Sequence, residues 1–304
     1  MDDRPTKSTA SAHAALLAVQ GFFGALPVIG KVVLATLPPI ALVGFRVGIT
    51  ALILVAVQAY RRRVWLKERS DYWRLAVLSI FGVTLNQILF IGGLSLTKAS
   101  NTSLLAVTIP IFTLLIGAVT GTEPLRLIKS IGIALAAIGV IILIDPRNAS
   151  FSSDTTLGDI LIILNSLSYG IYVATSKQVI TRNGAFRSMM WIFIFASIIC
   201  VPIGAVSLSA IDISAVSSYI WWLVLYIAIA ATAGPYLLNA FAIAKVEAST
   251  VAVYIYLQPI IGFLLAAFFL GESFGISFWI AVIAVFAGVF LATRPIRRAD
   301  HPKI

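Results

Sequence analysis

Histidine and cysteine are nearly missing from this sequence: His13 and His301 lie near its two ends, and Cys200 stands alone in an apolar stretch. One cysteine cannot form an intramolecular disulfide, and a buried thiol of this kind is expected to serve packing. No H-E-x-x-H occurs to hold zinc, no histidine falls at membrane depth beside a serine, and no pair of mid-span aspartates exists. Zinc, serine-hydrolase and aspartyl chemistry are thereby excluded, and with them an intramembrane enzyme. The phosphate-cradling pattern G-x-x-x-x-G-K-[ST] is also absent, which argues against direct use of ATP, and no cofactor is expected. Charge is scarce at 11% of residues, too little for a sizeable water-facing domain. Tails of about 11 residues at each end are expected to leave no room for a cytoplasmic sensor or assembly module.

What is present is hydrocarbon. Hydrophobic residues make up 60% of the chain and the mean hydropathy is +1.02, which indicates an all-α membrane protein. Ten spans can be read, at roughly 12–34, 38–59, 72–94, 98–119, 125–144, 158–180, 188–208, 219–241, 247–269 and 275–293. The first is too long, and too poor in a small-residue cleavage site, for a removed signal peptide. Of the 22 basic residues, eighteen fall on the face that holds the termini, three (Lys31, Lys98 and Arg147) on the other, and Arg46 lies within a span. This asymmetry predicts cytoplasmic N- and C-termini. It also explains the formal charge of +10 through topology, so no nucleic acid is expected as a partner.

The chain repeats itself. At an offset of 149 residues, Ala99–Glu123 matches Ala248–Glu272, aligning Pro110 with Pro259, Ile111 with Ile260, Leu115 with Leu264 and Glu123 with Glu272. Trp73 pairs with Trp222, Gln87 with Tyr236 and Gly139 with Gly288 at the same offset, and Lys31 with Lys177 at 146. The repeats run over 12–144 and 158–293, separated by a polar loop from Asp145 to Leu157. Each holds five spans, an odd number, so the copies are expected in opposite orientations around a central cavity. Each proline removes a backbone donor halfway along its span, freeing the carbonyls of Ala106 and Ile255. Lipid cannot satisfy these groups, so both prolines should face protein or a wet space.

Polar residues inside the spans are the candidate site. The first span carries Gln20, with Phe23, Gly24 and Pro27 beside it at helical spacing. The second carries Arg46 within GFRVG, where Gly44 and Gly48 permit close helix approach. An ion at this depth costs a few kcal/mol, so Arg46 either pairs functionally, snorkels, or satisfies backbone carbonyls. The third span offers Thr84, Asn86 and Gln87; the fourth, Asn101, Thr102, Ser103 and Thr108. Helical stripes follow in the sixth span (Asn165, Tyr169, Tyr172, Ser176), the eighth (Thr232, Tyr236, Asn239) and the ninth (Thr250, Tyr254, Gln258). Such stripes either pack between helices or line an aromatic cavity.

The two P-x12-E units, the second ending in LGES, and the duplicated ten-span layout resemble the drug/metabolite transporter superfamily, and its EamA-like branch in particular. The first unit departs slightly, with GTEP at Gly121 to Pro124, which bears on the local helix end alone. The resemblance implies ten helices as an inverted repeat, with a cavity lined by the first, third, fourth, sixth, eighth and ninth spans. It further implies export of small metabolites, amino acids among them, across the bacterial inner membrane. Candidate substrate-binding residues are Gln20, Arg46, Asn86, Gln87, Asn165, Tyr169, Tyr172, Tyr236, Asn239, Tyr254 and Gln258; Pro110, Pro259, Glu123 and Glu272 are candidates for hinges or gates. No carboxylate occupies a span centre, which disfavours the alternative of a multidrug cation carrier and suits a zwitterionic or neutral amphipathic substrate. Flux is expected to follow the substrate gradient, or to be coupled through the helix-end glutamates. The expected partners are a small-molecule substrate, the lipid bilayer, and a second copy in a homodimer.

Overall fold

A computed structural model describes residues 7–144, 153–209, 211–261, 264 and 276–293. All regular structure among them is helical. The first repeat contributes α1 (Lys7–Leu34), α2 (Pro39–Tyr60), α3 (Arg69–Ser79), α4 (Leu85–Leu96), α5 (Ala99–Leu105), α6 (Thr108–Val119) and α7 (Leu127–Ile144). The second contributes α8 (Ser153–Asn183), α9 (Ala185–Leu208), α10 (Ser218–Ala228), α11 (Gly234–Ile243), α12 (Ala248–Val253) and α13 (Ile276–Thr293). Eight membrane-length spans result, some built from two helices, together with the shorter apolar helices Ala248–Ile261 and Phe278–Thr293. The protein is a multi-pass membrane protein. Glu272 lies outside the described residues.

The duplication is visible in irregularities that no propensity predicts. Between α3 and α4 the helix widens into a π-turn, Ile80–Thr84; between α10 and α11 it does so again at Ile229–Ala233, 149 residues on. The fourth span breaks at Ala106–Val107 and its counterpart at the 3₁₀ turn Tyr254–Tyr256. Both breaks fall ahead of Pro110 and Pro259, where the ring removes the donor to the carbonyl four residues back. The Ala106 carbonyl is instead satisfied by the Ile109 N–H at 3.0 Å. The two breaks meet, since the Tyr256 hydroxyl donates to the Val107 carbonyl at 3.0 Å. Val107 and Tyr256 are themselves one offset apart.

Small residues bring the outer helices together. A methyl group on Gly139 would lie 2.9 Å from the Ala281 carbonyl oxygen, and one on Gly288 would lie 2.5 Å from that of Gly132. Gly132 thus faces Gly288 and Ala292, while Gly139 faces Ala281 and Val285, so α7 and its counterpart α13 run antiparallel. In the same way Gly44 and Gly48 of α2 let α9 approach at Gly204 and Val201. Without a solvent-driven force between helices in lipid, backbone contact of this kind supplies the packing.

Matching lysines close the two ends. Lys31, in the last turn of α1, donates to the Thr97 carbonyl beyond α4 at 2.6 Å; Lys177 in α8 donates to the Val246 carbonyl beyond α11 at 2.8 Å. Each cation satisfies an orphan carbonyl at the negative end of a helix.

Candidate functional site

Between the repeats lies a cavity of about 830 Å³, its open mouth included. Nine of the eleven residues singled out from the sequence line it: Gln20, Arg46, Asn86, Gln87, Asn165, Tyr169, Tyr236, Asn239 and Gln258. The remaining wall is apolar, with Phe23, Leu26, Phe90, Ile109, Ile162 and Ile255 among its members. The second span, absent from the expected lining, contributes through Arg46.

The π-turns explain how the polar wall is held. A π-turn leaves carbonyls without their usual partner four residues on. Gly82 and Ala231 are equivalent positions in the two turns. The Tyr236 hydroxyl lies 3.0 Å from the Gly82 carbonyl and 2.9 Å from Asn86 Oδ1, dividing one proton between two acceptors, while Gln87 Nε2 donates to it at 3.1 Å. Arg46 Nη2 donates to the Ala231 carbonyl at 3.3 Å and Nε to Thr232 Oγ1 at 3.0 Å. Each repeat therefore sends a side chain into the other's widened turn. Asn165 Nδ2 reaches the Asn86 carbonyl at 2.8 Å, Asn239 Nδ2 the Tyr169 hydroxyl at 2.7 Å, and Gln258 Nε2 the Gln20 Oε1 at 2.9 Å.

Two polar atoms of cavity-lining residues are left over. Arg46, 1% exposed, keeps Nη1 without a partner, and Asn239, 5% exposed, keeps Oδ1 without one. An unsatisfied buried group costs about 1–3 kcal/mol, more when charged. No lining residue of the cavity is acidic.

Two predicted site residues sit elsewhere. Tyr172 turns into the space above Gly82, where a Cβ would lie 2.5 Å from its ring, and its hydroxyl meets Met189 Sδ at 3.7 Å. Tyr254 points away from the cavity to His13 Nδ1 at 2.7 Å. His13, set aside in the sequence as a chain-end residue, thus bridges α1 and the break after α12. Pro110 is buried, and Pro259 borders a second space of about 230 Å³ beside the helix breaks.

Glu123 lies in the loop between α6 and α7. It accepts from Lys129 Nζ at 2.7 Å, from the Ser249 N–H at 3.0 Å and from the Ser249 hydroxyl. Lys129 Nζ also contacts Glu247 and reaches Ser249 Oγ at 3.1 Å. Burial pushes the Glu123 carboxyl up, but the Lys129 and Ser249 hydrogen bonds outweigh it and hold the group below its ordinary value. A first-repeat carboxylate thereby caps the N-terminus of a second-repeat helix. Lys129 was legible only as a basic residue favouring one face; it is 2% exposed, two residues inside a helix that is apolar from Ile131 onward.

Comparison with known proteins agrees with this architecture. The profile of the EamA-like transporter family matches residues 11–145 and again 156–294. An uncharacterized transporter of Archaeoglobus fulgidus is 27% identical over 264 residues, covering 86% of this chain and 90% of its own length. The uncharacterized transporter YetK of Bacillus subtilis is 23% identical, covering 97% of this chain and 90% of its own. One solved crystal structure superposes with a TM-score of 0.75 at 17% identity, covering 94% of this chain and 98% of that one. That likeness speaks for the fold alone.

Proposed function

This chain belongs to the EamA-like transporter family, and from that premise we propose that it is a secondary transporter exporting small zwitterionic or neutral amphipathic metabolites, amino acids foremost. The observation that carries the reading is the pair of unsatisfied buried atoms on cavity residues: a guanidinium donor of Arg46 and an amide acceptor of Asn239. A carboxylate would recover the first and an ammonium the second, while the apolar wall takes a side chain. A cation carrier would need an acidic partner in the cavity, and the lining offers none.

The protein acts in the bacterial inner membrane with both termini cytoplasmic, as two repeats of opposite orientation that rock about the broken helices. The antiparallel packing of α7 on α13 and the meeting of the two breaks support this arrangement. Arg46, Asn239 and the Tyr236 cluster bind substrate; Pro110 and Pro259 set the hinges. Glu123, with Lys129, Glu247 and Ser249, forms a latch that closes the cytoplasmic end and opens once per cycle.

Efflux of radiolabelled amino acids, purines and quaternary cations from proteoliposomes tests the reading. Wild type should carry amino acids, and Arg46→Gln should lose that flux while its neutral-metabolite flux persists. Robust transport of quaternary cations without amino acids would overturn it.

A further inference from the structure

The loop between α2 and α3, with the first turns of α3, holds Arg61, Arg62, Arg63, Lys67, Arg69 and Arg74, and all six are exposed. Its two carboxylates are spent internally. Glu68 accepts from Arg182 Nη1 at 2.7 Å, and Asp71, fully buried, takes Arg182 Nη2 and Asn183 Nδ2, the latter at 2.7 Å. The end of α8 therefore engages both acids, with one guanidinium and one amide, and leaves the loop's own cations over. Only Arg61 has a partner of its own, the Phe186 ring at 4.7 Å; no hydrogen bond or ion pair engages the other five side chains among the described residues.

The loop is nevertheless fixed. Trp191 Nε1 donates to the Val64 carbonyl at 2.9 Å, Gln58 Nε2 to that of Arg63 at 2.9 Å, and the Lys67 N–H to Asn183 Oδ1 at 3.0 Å. Four pins of this kind, counting the Leu66 N–H on the Tyr72 hydroxyl at 3.1 Å, hold a backbone whose charges point outward. Three large aromatics stand exposed at the same end: Tyr60 at 92%, Trp65 at 75% and Trp73 at 74%. Aromatic rings and free cations at the end of membrane spans match the headgroup layer, where each ring buries its body and each cation meets phosphate.

We propose that this pinned loop is a binding surface for anionic phospholipid headgroups of the adjoining leaflet. Prior ordering keeps the entropy lost on binding small, and the shared Arg182 reduces the repulsion that Glu68 and Asp71 would otherwise exert. Topology alone needs positive charge; it does not need the acids to be sequestered or the loop to be rigid.

Native mass spectrometry of the full chain, extracted from mixed phosphatidylglycerol and phosphatidylcholine membranes, measures the surface directly. Wild type should retain phosphatidylglycerol in preference to phosphatidylcholine. Arg62→Gln and Arg63→Gln should each lower that preference about fivefold, the equivalent of about 1 kcal/mol per basic residue near the surface. Glu68→Gln keeps every cation of the loop and removes an acid, and should raise the preference. Cysteine labelling from the two sides confirms that each variant is inserted in the same sense, so an inverted chain is not counted. An unchanged preference in both arginine variants would overturn the proposal. So would displacement of the lipid by inorganic phosphate at equal concentration, which would assign the surface to free anions.

Discussion

The end of the molecule bearing Lys31 and the end bearing Glu123 are built on one plan and held differently. At both, a lysine from the first span of a repeat caps the carbonyl end of the third span, through Thr97 in one copy and Val246 in the other. The duplication preserved that contact. At the Glu123 end a buried Lys129 has been added, and its equivalent 149 residues on is Phe278; Glu247 corresponds to Lys98. The Lys31 end uses instead Asp159 in α8, which accepts from Thr97 Oγ1 at 2.6 Å and Asn101 Nδ2 at 3.1 Å. A repeated scaffold thus sets where the ends close, and a few substitutions set how tightly each holds.

Removing the added cation should break the comparison most. Lys129→Met strands the buried carboxylate of Glu123 and is expected to cost about 3–5 kcal/mol, read as a fall in the detergent unfolding midpoint. Adding Glu123→Gln should return a sizeable part of that loss, because less unpaired charge remains buried. A full loss in the double variant would mean that packing, not charge, holds this end.

A smaller effect sharpens the shared part of the plan. Lys31→Met and Lys177→Met should each cost about 1 kcal/mol, near-equal because each removes one cap of an orphan carbonyl. A wide difference in their unfolding midpoints would sever the equivalence.

The smallest expected effect is with pH. The folded Glu123 carboxyl titrates below its ordinary 4.5, so its contribution is complete above that pH and is lost only as pH falls through the depressed value. Wild-type stability should therefore show no loss from this group between neutral pH and about 4.5. In Lys129→Met the cation that lowers the carboxyl is gone, the folded group moves up, and protonation relieves the stranded charge, so the variant's deficit against wild type should shrink as pH falls.

Much of this arrangement could be read from residues alone, for a physical reason. Long apolar runs declare membrane spans, and a constant offset declares a repeat; both are one-dimensional signals. Gln87 and Tyr236, matched at that offset in the sequence, are hydrogen-bonded partners in the cavity wall. The failures are three-dimensional. Tyr172 shares a helical stripe with Asn165 and Tyr169, yet a glycine on the facing π-turn admits its ring and draws it out of the cavity. Tyr254 and Gln258 form one stripe only if the helix is continuous, and the 3₁₀ turn between them changes the phase. Lys129 reads as a surface charge because one acidic partner sits in the preceding loop and the other comes from the following repeat, 118 residues on.

A π-turn accommodates one surplus residue without losing the helix. Ile80–Thr84 and Ile229–Ala233 occupy matched positions, so each repeat carries the same surplus residue. Its legacy is rotational: excising one residue from Ile80–Thr84 would restore a regular helix and swing Asn86 and Gln87 by roughly 100°, carrying both amides out of the chamber.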